Sequence, residues 1–250
     1  MSSDNIPAPQ SVLPPRPRRR RGFWMLLRDV AVIVVIAVVV SFVIKTFLVR
    51  SFYIPSGSME QTLMIKDRIL VDELSPRFGG YQRGDVIVFR DPGGWLPPAP
   101  AAPPQSPLAQ GADWLLSLVG ITASDSDEHL IKRIIGVGGD HVVCCNAIGQ
   151  VTVNGTPIDE TPYLHLSSGQ TAPAPVPFDV VVPQNSFWVM GDNRDHSRDS
   201  RYNMDQPNRG FVPLDNVVGR AFLITWPFDR FGTIDGHHAV FAGVPAPGVG

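Results

Sequence analysis

Apolar residues along the chain form one long unbroken run, which is followed by many short ones. The long run extends from Val30 to Val49 and contains a single charged residue, Lys45. As a helix it would be about 30 Å long, which matches the hydrocarbon core of a bilayer. We therefore expect one transmembrane helix at 29–49, with the Lys45 ammonium group reaching the interface.

After residue 50 the apolar residues occur in short stretches separated by turn-forming residues, a pattern typical of β-strands. Eight strands are predicted: Ser51–Ile54, Arg68–Asp72, Asp85–Arg90, His129–Ile135, Gln150–Val153, Phe178–Val182, Ser186–Met190 and Val217–Thr225. The pair Asn154 and Gly155 is a strong signal for a two-residue hairpin turn. The segments between the strands show no strong helical periodicity. We therefore expect a mainly β, antiparallel, partly closed domain rather than parallel βαβ units.

Segments rich in proline, glycine, serine or arginine divide the chain into regions. We predict a disordered basic tail at 1–28, the β domain at 50–243 and a disordered tail at 244–250. Residues 166–177 are predicted to be a flexible surface loop. The β domain contains a proline-rich insertion at 91–128, with an apolar run from Trp114 to Val119. This insertion either lies against a bilayer or caps the core of the β domain.

Charges beside the long apolar run predict its orientation in a membrane. Six arginines precede the run: Arg16, Arg18, Arg19, Arg20, Arg21 and Arg28. The far end carries Lys45 and Arg50, so the positive-inside rule places the N-terminus in the cytoplasm and the β domain outside. A cleaved signal peptide is the alternative. Because no small-x-small cleavage site follows Ile44, we expect a retained single-pass anchor in the cell membrane.

Composition narrows the possible functions. The net charge of −2 gives no reason to expect nucleic acid as a partner. The two cysteines, Cys144 and Cys145, are adjacent, which excludes a disulfide framework and a cysteine-based zinc site. Adjacent side chains on a strand point to opposite faces, so the two cysteines cannot both face one site and we expect them to have no role in chemistry. Disulfide geometry disfavours a bond between neighbouring residues, although the sequence leaves their redox state open. The six histidines form no His-Glu-x-x-His motif, which argues against a zinc protease.

Serine chemistry is possible in the stretch Ser56-Gly57-Ser58-Met59, although serines beside glycine are more often simple turn residues. The motifs Gly-x-Ser-x-Gly and Ser-x-x-Lys are absent, which argues against an α/β-hydrolase and a penicillin-binding-protein site. A base for the serine must then come from elsewhere, and Lys132 is the candidate.

Lys132 shares one face of its predicted strand with Leu130 and Ile134. A free lysine titrates near ~10.4 and is a poor base at neutral pH. Desolvation by the two aliphatic neighbours would lower this pKa and make the neutral amine available. The alternative is a lysine whose side chain extends to solvent from a half-buried strand.

The stretch Gly191–Arg201 is dense in aspartate, asparagine, arginine and serine. Such a stretch is either a solvated loop with Asx turns and ion pairs or a rigid support for an active site. The residues alone do not distinguish the two.

Four stretches in this order resemble the signature boxes of bacterial type I signal peptidases, which are membrane-anchored Ser/Lys endopeptidases. They are Phe52–Met59, Arg83–Phe89, Lys132–Asp140 and Gly191–Arg201. The resemblance is to the actinobacterial type, covers roughly residues 30–228, and implies a β domain of the signal-peptidase type. The chain departs from the family pattern at Gln61, where proline is usual, at His196, where asparagine is common, and in an apparent insertion at 205–208.

The resemblance also implies a role for individual residues. Ser58 matches the nucleophile and Lys132 the general base, and Ser56 matches the residue that supplies an oxyanion-hole hydroxyl beside the Ser58 N–H. Ser197 matches the serine that orients the lysine, and Asp199 and Arg201 match a supporting ion pair. The residues expected to line the substrate pockets are Phe52, Ile54, Pro55, Met59, Leu63 and Ile131. No metal or cofactor is implied.

The implied function is hydrolysis of a peptide bond through an acyl-enzyme. The substrates would be signal peptides of exported preproteins with small residues at P1 and P3, typically Ala-x-Ala, and the lipid bilayer would be the other partner. Two alternatives are another Ser/Lys processing protease and an inactive membrane-anchored binding protein. The latter would be expected to lack Ser58 or Lys132, and both are present.

Overall fold

The structure is a computed structural model, and it describes residues 20–47, 49–97, 129–166 and 176–248. Residues 1–19, most of the predicted insertion 91–128, most of the loop 166–177 and the last two residues of the predicted tail 244–250 lie outside this description. The chain divides into two units, one up to Phe42 and one from Val43 onward.

The described residues of the first unit all belong to helix α1, Arg20–Phe47. The long apolar run is therefore helical over most of its predicted length. Within the described residues, no helix is long and apolar enough to cross a membrane.

The second unit contains twelve described strands and a short helix α2, Ser75–Gly79. The first six strands are β1 Val49–Tyr53, β2 Arg68–Asp72, β3 Val86–Arg90, β4 His129–Val137, β5 His141–Cys144 and β6 Val151–Val153. The others are β7 Thr156–Pro157, β8 Phe178–Val181, β9 Ser186–Met190, β10 Val212–Pro213, β11 Val217–Trp226 and β12 Gly232–Thr233. Five 3-10 turns complete the unit: Arg194–His196, Ser200–Tyr202, Leu214–Asn216, Phe228–Arg230 and His238–Phe241.

All strand pairs in the two sheets are antiparallel, which confirms the predicted class. The larger sheet has the order β1-β2-β11-β3-β4-β9-β10, with β12 beside β11, and the smaller has the order β7-β6-β5-β8. Neither sheet closes within the described residues, so the expected partial closure is corrected. The reason is that β1 pairs with β2 alone and β10 with β9 alone, which leaves both ends of the larger sheet as edges.

Two local predictions for the smaller sheet had different outcomes. The hairpin turn at Asn154 and Gly155 is confirmed, because both residues have positive φ, 51° and 77°, as a type I′ turn requires. The redox state of the cysteines was left open, and Cys144 and Cys145 form the disulfide that strand geometry disfavours. Strand β5 ends at Cys144, so the alternation of side chains that argued against this bond does not extend to Cys145.

The larger sheet packs apolar side chains on both of its faces. Along β3, Val86 and Val88 join one core cluster, whereas Ile87 and Phe89 join another. This explains why β3 is a continuous apolar run instead of an alternating one. Strand β4 pairs with β3 so that Lys132 lies opposite Ile87, and Arg133 lies opposite Val86 on the other face.

Candidate active site

Ser58 and Lys132 meet although 74 residues separate them in the sequence. Ser58 lies in the turn that follows β1, and its Oγ is 2.7 Å from Nζ of Lys132 in β4. Nζ also donates to the carbonyl oxygen of Ile131 at 2.9 Å. Both Ser58 and Lys132 are buried. The serine and lysine singled out in the sequence thus form a hydrogen-bonded pair in which a neutral amine can accept the hydroxyl proton.

Burial lowers the pKa of Lys132 from 10.5 to about 8. The negative charges of Asp199 and Asp192 oppose this by raising the pKa, and the positive charge of Arg201 lowers it. In the described part of the chain, no carboxylate contacts the amine directly, because its hydrogen-bond partners are a hydroxyl and a carbonyl. Desolvation therefore dominates, and a useful fraction of the amine is neutral near physiological pH.

A cleft of about 250 Å³ opens at this pair. Its lining residues are Phe52, Tyr53, Ile54, Pro55, Ser56, Ser58, Met59, Leu96, His129, Leu130, Ile131 and Lys132. The walls are mostly apolar, and the rings of Phe52 and His129 lie 5.3 Å apart, so β1 and β4 both contribute to the cleft.

Five of the six residues expected to line the substrate pockets lie in this cleft, and Leu63 is the exception. Leu63 is completely buried in the core cluster beneath the turn that follows β1 and carries Ser58, called the serine turn below. Its N–H donates to the carbonyl of Met59 at 2.7 Å, so the chain turns inward at this point. Sequence reasoning missed Tyr53, Leu96 and His129, because a wall made by non-neighbouring segments leaves no local signal.

The turn around Ser58 contains two candidate donors for an oxyanion. The Ser56 hydroxyl is 3.5 Å from Oγ of Ser58 and is exposed to the cleft. The N–H of Ser58 donates to no acceptor among the described residues. Farther along this turn, Gln61 has a positive φ of 91°, a conformation that side-chain-bearing residues rarely adopt.

The stretch Gly191–Arg201 is a buried support and not a solvated loop. Asp199 and Arg201 are almost fully buried and form the predicted ion pair, with Nε 2.8 Å from Oδ1. The Ser197 hydroxyl donates to Oδ2 of Asp199 at 2.7 Å, and the N–H of Gly191 donates to the same oxygen at 2.9 Å. The hydroxyl hydrogen of Ser197, the residue expected to orient the amine of Lys132, is thus directed at Asp199.

A second buried ion pair joins this support to β4 and to the serine turn. Arg133 donates from Nε and Nη2 to the two carboxylate oxygens of Asp192, each at 2.9 Å. The Thr62 hydroxyl donates to the same carboxylate at 2.6 Å. Nη1 of the neighbouring Arg194 donates to Oε2 of Glu160 at 2.8 Å. Sequence reasoning missed this network, and its sequence signal was the density of charges directly after the apolar strand β9.

A family profile described as signal peptidase, peptidase S26, matches residues 27–226. The signal peptidase I of Mycobacterium tuberculosis, in strains CDC 1551 and H37Rv, is 42% identical over 236 residues, which are 88% of this chain and 78% of that protein. A probable signal peptidase I of Mycobacterium leprae is 38% identical over 244 residues, 87% of this chain and 81% of that protein.

A crystal structure of a signal peptidase I from Enterococcus faecalis V583 overlaps 56% of this chain and 95% of that chain. The TM-score of this overlap is 0.34 at 22% sequence identity.

Proposed function

The chain belongs to the signal peptidase family S26, and from this premise we propose that it cleaves signal peptides with Ser58 as nucleophile and Lys132 as general base. The distance of 2.7 Å between Oγ and Nζ is the observation that carries the proposal. The pKa of about 8 supports it further, since a serine needs an unprotonated partner to lose its proton.

The proposed reaction proceeds in two steps. Neutral Lys132 takes the hydroxyl proton while Oγ of Ser58 attacks the scissile carbonyl carbon. The resulting ammonium then gives its proton to the leaving amine as the peptide bond breaks, which leaves an acyl-enzyme. Lys132 next takes a proton from water, whose oxygen attacks the ester carbonyl carbon. The ammonium then returns this proton to Oγ of Ser58 as the ester bond breaks, and the released carboxylic acid loses its proton to solvent.

Charge on the carbonyl oxygen develops in both steps and needs hydrogen-bond donors. The N–H of Ser58 and the Ser56 hydroxyl are the proposed donors, and an oxyanion donor is typically worth about 3–4 kcal/mol of barrier. Asp199 and Arg201 would hold the segment behind the amine. No step requires a metal or a cofactor.

The mostly apolar lining of the cleft supports binding of small apolar side chains at P1 and P3, as in Ala-x-Ala. Phe52, Ile54, Met59 and Ile131 would contact these side chains on an extended peptide.

We also propose that residues 29–49 anchor the chain as a single-pass segment, with the N-terminus cytoplasmic and the β domain outside. The apolar run and the preceding arginines support this topology. Extraction of membranes at alkaline pH tests the anchor, and protease treatment of spheroplasts tests the orientation. Release of the full chain by alkali, or protection of the β domain from external protease, would contradict it.

Cleavage of a purified preprotein by the detergent-solubilised chain tests the chemistry. Ser58→Ala should abolish cleavage because no other oxygen nucleophile is within reach of the amine among the described residues. Ser186→Ala, on β9 and outside the cleft, is the matched control and should cleave normally. Cleavage by Ser58→Ala at the same peptide bond would refute the proposal.

A further inference from the structure

One residue of the buried support holds the turn that carries Ser58. The N–H of Asn193 donates to the carbonyl oxygen of Ser58 at 3.1 Å. Its side-chain Nδ2 donates to the carbonyl oxygen of Gly57, also at 3.1 Å. Asn193 therefore holds the peptide carbonyls on both sides of the Ser58 α-carbon, and none of the reaction steps described above uses it.

The Asn193 side chain has a second partner on the same turn. Nδ2 also donates to Oε2 of Glu60 at 3.0 Å, so both amide hydrogens face acceptors. The Glu60 carboxylate packs so closely on Gly57 that a Cβ added to the glycine would lie 2.6 Å from Oε1. On the other side of the amide, Oδ1 lies 3.3 Å from Nδ1 of His196. The acceptors on one side and the imidazole on the other fix which way the amide points.

Planarity of the peptide bond gives this contact a consequence for catalysis. The carbonyl of Gly57 and the N–H of Ser58 belong to one rigid peptide unit and point in opposite directions. A bond that fixes the Gly57 oxygen therefore also fixes the direction of the Ser58 N–H. That N–H is a proposed oxyanion donor. The stabilisation it gives the transition state depends on how directly the N–H points at the reacting oxygen.

We propose that Asn193 and Glu60 are positioning residues that aim the Ser58 N–H, a role that rests on the proposed function of Ser58. The oxyanion exists in the transition state and not in the bound substrate. Loss of the aim should therefore lower kcat and leave KM nearly unchanged.

Asn193→Asp tests the role with little change in shape, because it turns the donor into an acceptor that faces a carbonyl and a carboxylate. We expect kcat for a signal-peptide substrate to fall about 10- to 100-fold, with KM within about 2-fold. Asn146→Asp, in the turn between β5 and β6, adds the same charge away from the cleft and is the matched control.

The double variant Asn193→Asp with Glu60→Gln distinguishes positioning from simple damage. The new glutamine amide can donate to the new aspartate, which restores the bond with its direction reversed. We expect kcat to recover about 3- to 10-fold over Asn193→Asp alone, while the contact with Gly57 stays lost. Wild-type kcat in Asn193→Asp, or full wild-type kcat in the double variant that still lacks the contact with Gly57, would overturn the proposal.

Glu60→Ala keeps the proposal testable if Asn193→Asp fails to fold. Glu60 is only half-buried, so its truncation should leave the melting temperature unchanged and lower kcat about 3- to 10-fold. Wild-type kcat in this variant would overturn the role of Glu60. Ser58→Ala, assayed alongside, separates the two proposals, since residual cleavage there would refute the nucleophile whatever Asn193 does.

Discussion

The two faces of β4 each bury a cation, and the two cations are neighbours in the chain. Lys132 on one face and Arg133 on the other are both at most 4% exposed. Arg133 has a carboxylate partner, Asp192, which accepts two hydrogen bonds and whose negative charge raises the pKa of the guanidinium. Lys132 has no such partner among the described residues, and burial lowers its pKa to about 8.

The contrast shows that burial alone does not decide what a cation does. A desolvated cation with a fitted counter-charge stays charged and fastens structural elements together. A desolvated cation that meets a hydroxyl and a carbonyl can lose its proton near neutral pH. Neighbouring positions on one strand therefore provide a fixed charge and a proposed base, and the following experiments test each side of this difference.

Lys132→Arg should have the largest effect, because a guanidinium stays protonated at any working pH and cannot act as a base. We expect turnover to fall more than about 10³-fold, as with loss of a general base elsewhere, and Lys132→Ala to be equally inactive. Circular dichroism should show an intact fold for both variants.

Lys66→Arg is the matched control, since Lys66 lies on an exposed turn outside the cleft. It should retain full turnover of a signal-peptide substrate. Near-normal turnover in Lys132→Arg would mean that Lys132 provides charge alone, and the proposed Ser/Lys mechanism would have to be abandoned.

Asp192→Asn tests the opposite face by leaving Arg133 buried without its counter-charge. We expect the free energy of unfolding, measured in urea, to drop by about 3–5 kcal/mol. Asp179→Asn, whose carboxylate is 73% exposed beside His141, should change it by less than about 0.5 kcal/mol. A decrease of less than about 1 kcal/mol in the free energy of unfolding of Asp192→Asn would show that burial of Arg133 does not require this counter-charge.

The pH dependence of stability should differ between wild type and Lys132→Met. The folded-state pKa is about 8 and the ordinary value is 10.5, so between these pH values the folded chain binds fewer protons than the unfolded chain. Below pH 8 the folded state carries the full cost of the buried ammonium. The free energy of unfolding of the wild type should therefore rise with pH across this window, by about 3 kcal/mol relative to Lys132→Met.

The same lowered pKa predicts that the cleavage rate rises with pH through about 8, because the neutral amine is the reactive form. Urea titrations from pH 7 to 11 and initial rates over the range where the chain stays folded check the two curves. A constant stability difference between wild type and Lys132→Met would show that the pKa of Lys132 is not lowered.

Ser197→Ala should have a smaller effect than any change to the two cations. Its hydroxyl donates to Asp199, and that carboxylate keeps Arg201 and the N–H of Gly191 as partners. We expect a loss of about 1 kcal/mol in unfolding free energy and a decrease of a few-fold in kcat. A loss as large as that of Lys132→Ala would give Ser197 a direct part in the reaction.

Replacement of Cys144 and Cys145 together by alanine should have the smallest effect on activity. Both side chains pack against the core cluster of the smaller sheet and lie outside the cleft. Turnover should stay within a few-fold of wild type. Loss of turnover in a double variant that still melts cooperatively would overturn this expectation.

Local patterns in the sequence were enough to predict most of the described strands. Arg68–Asp72 and Ser186–Met190 match their strands residue for residue, because turn signals and apolar runs are properties of adjacent residues. Strand β5 was missed, and so were β10 and β12, which contain two residues each, too few to form a pattern. The partner of Ser197 was also missed, because nothing local distinguishes a hydroxyl that reaches Asp199 from one that reaches Lys132.

The buried ion pairs could not be predicted in the same way. Arg133 and Asp192 are 59 residues apart, and their pairing depends on how β4 lies beside β9. Ser58 and Lys132 were identified through the resemblance, since each residue alone has an ordinary structural explanation. The sequence identifies side chains that could take part in a reaction, whereas the fold determines which of them lie within hydrogen-bond distance of each other.

The backbone conformation at Gln61 restricts which residues can stand beside the turn that carries Ser58. A redesign toward the family pattern that the sequence resembles would replace Gln61 with proline. Proline holds φ near −65°, whereas Gln61 has a φ of 91°. The substitution is therefore compatible with this chain only if the turn beside Ser58 is rebuilt at the same time.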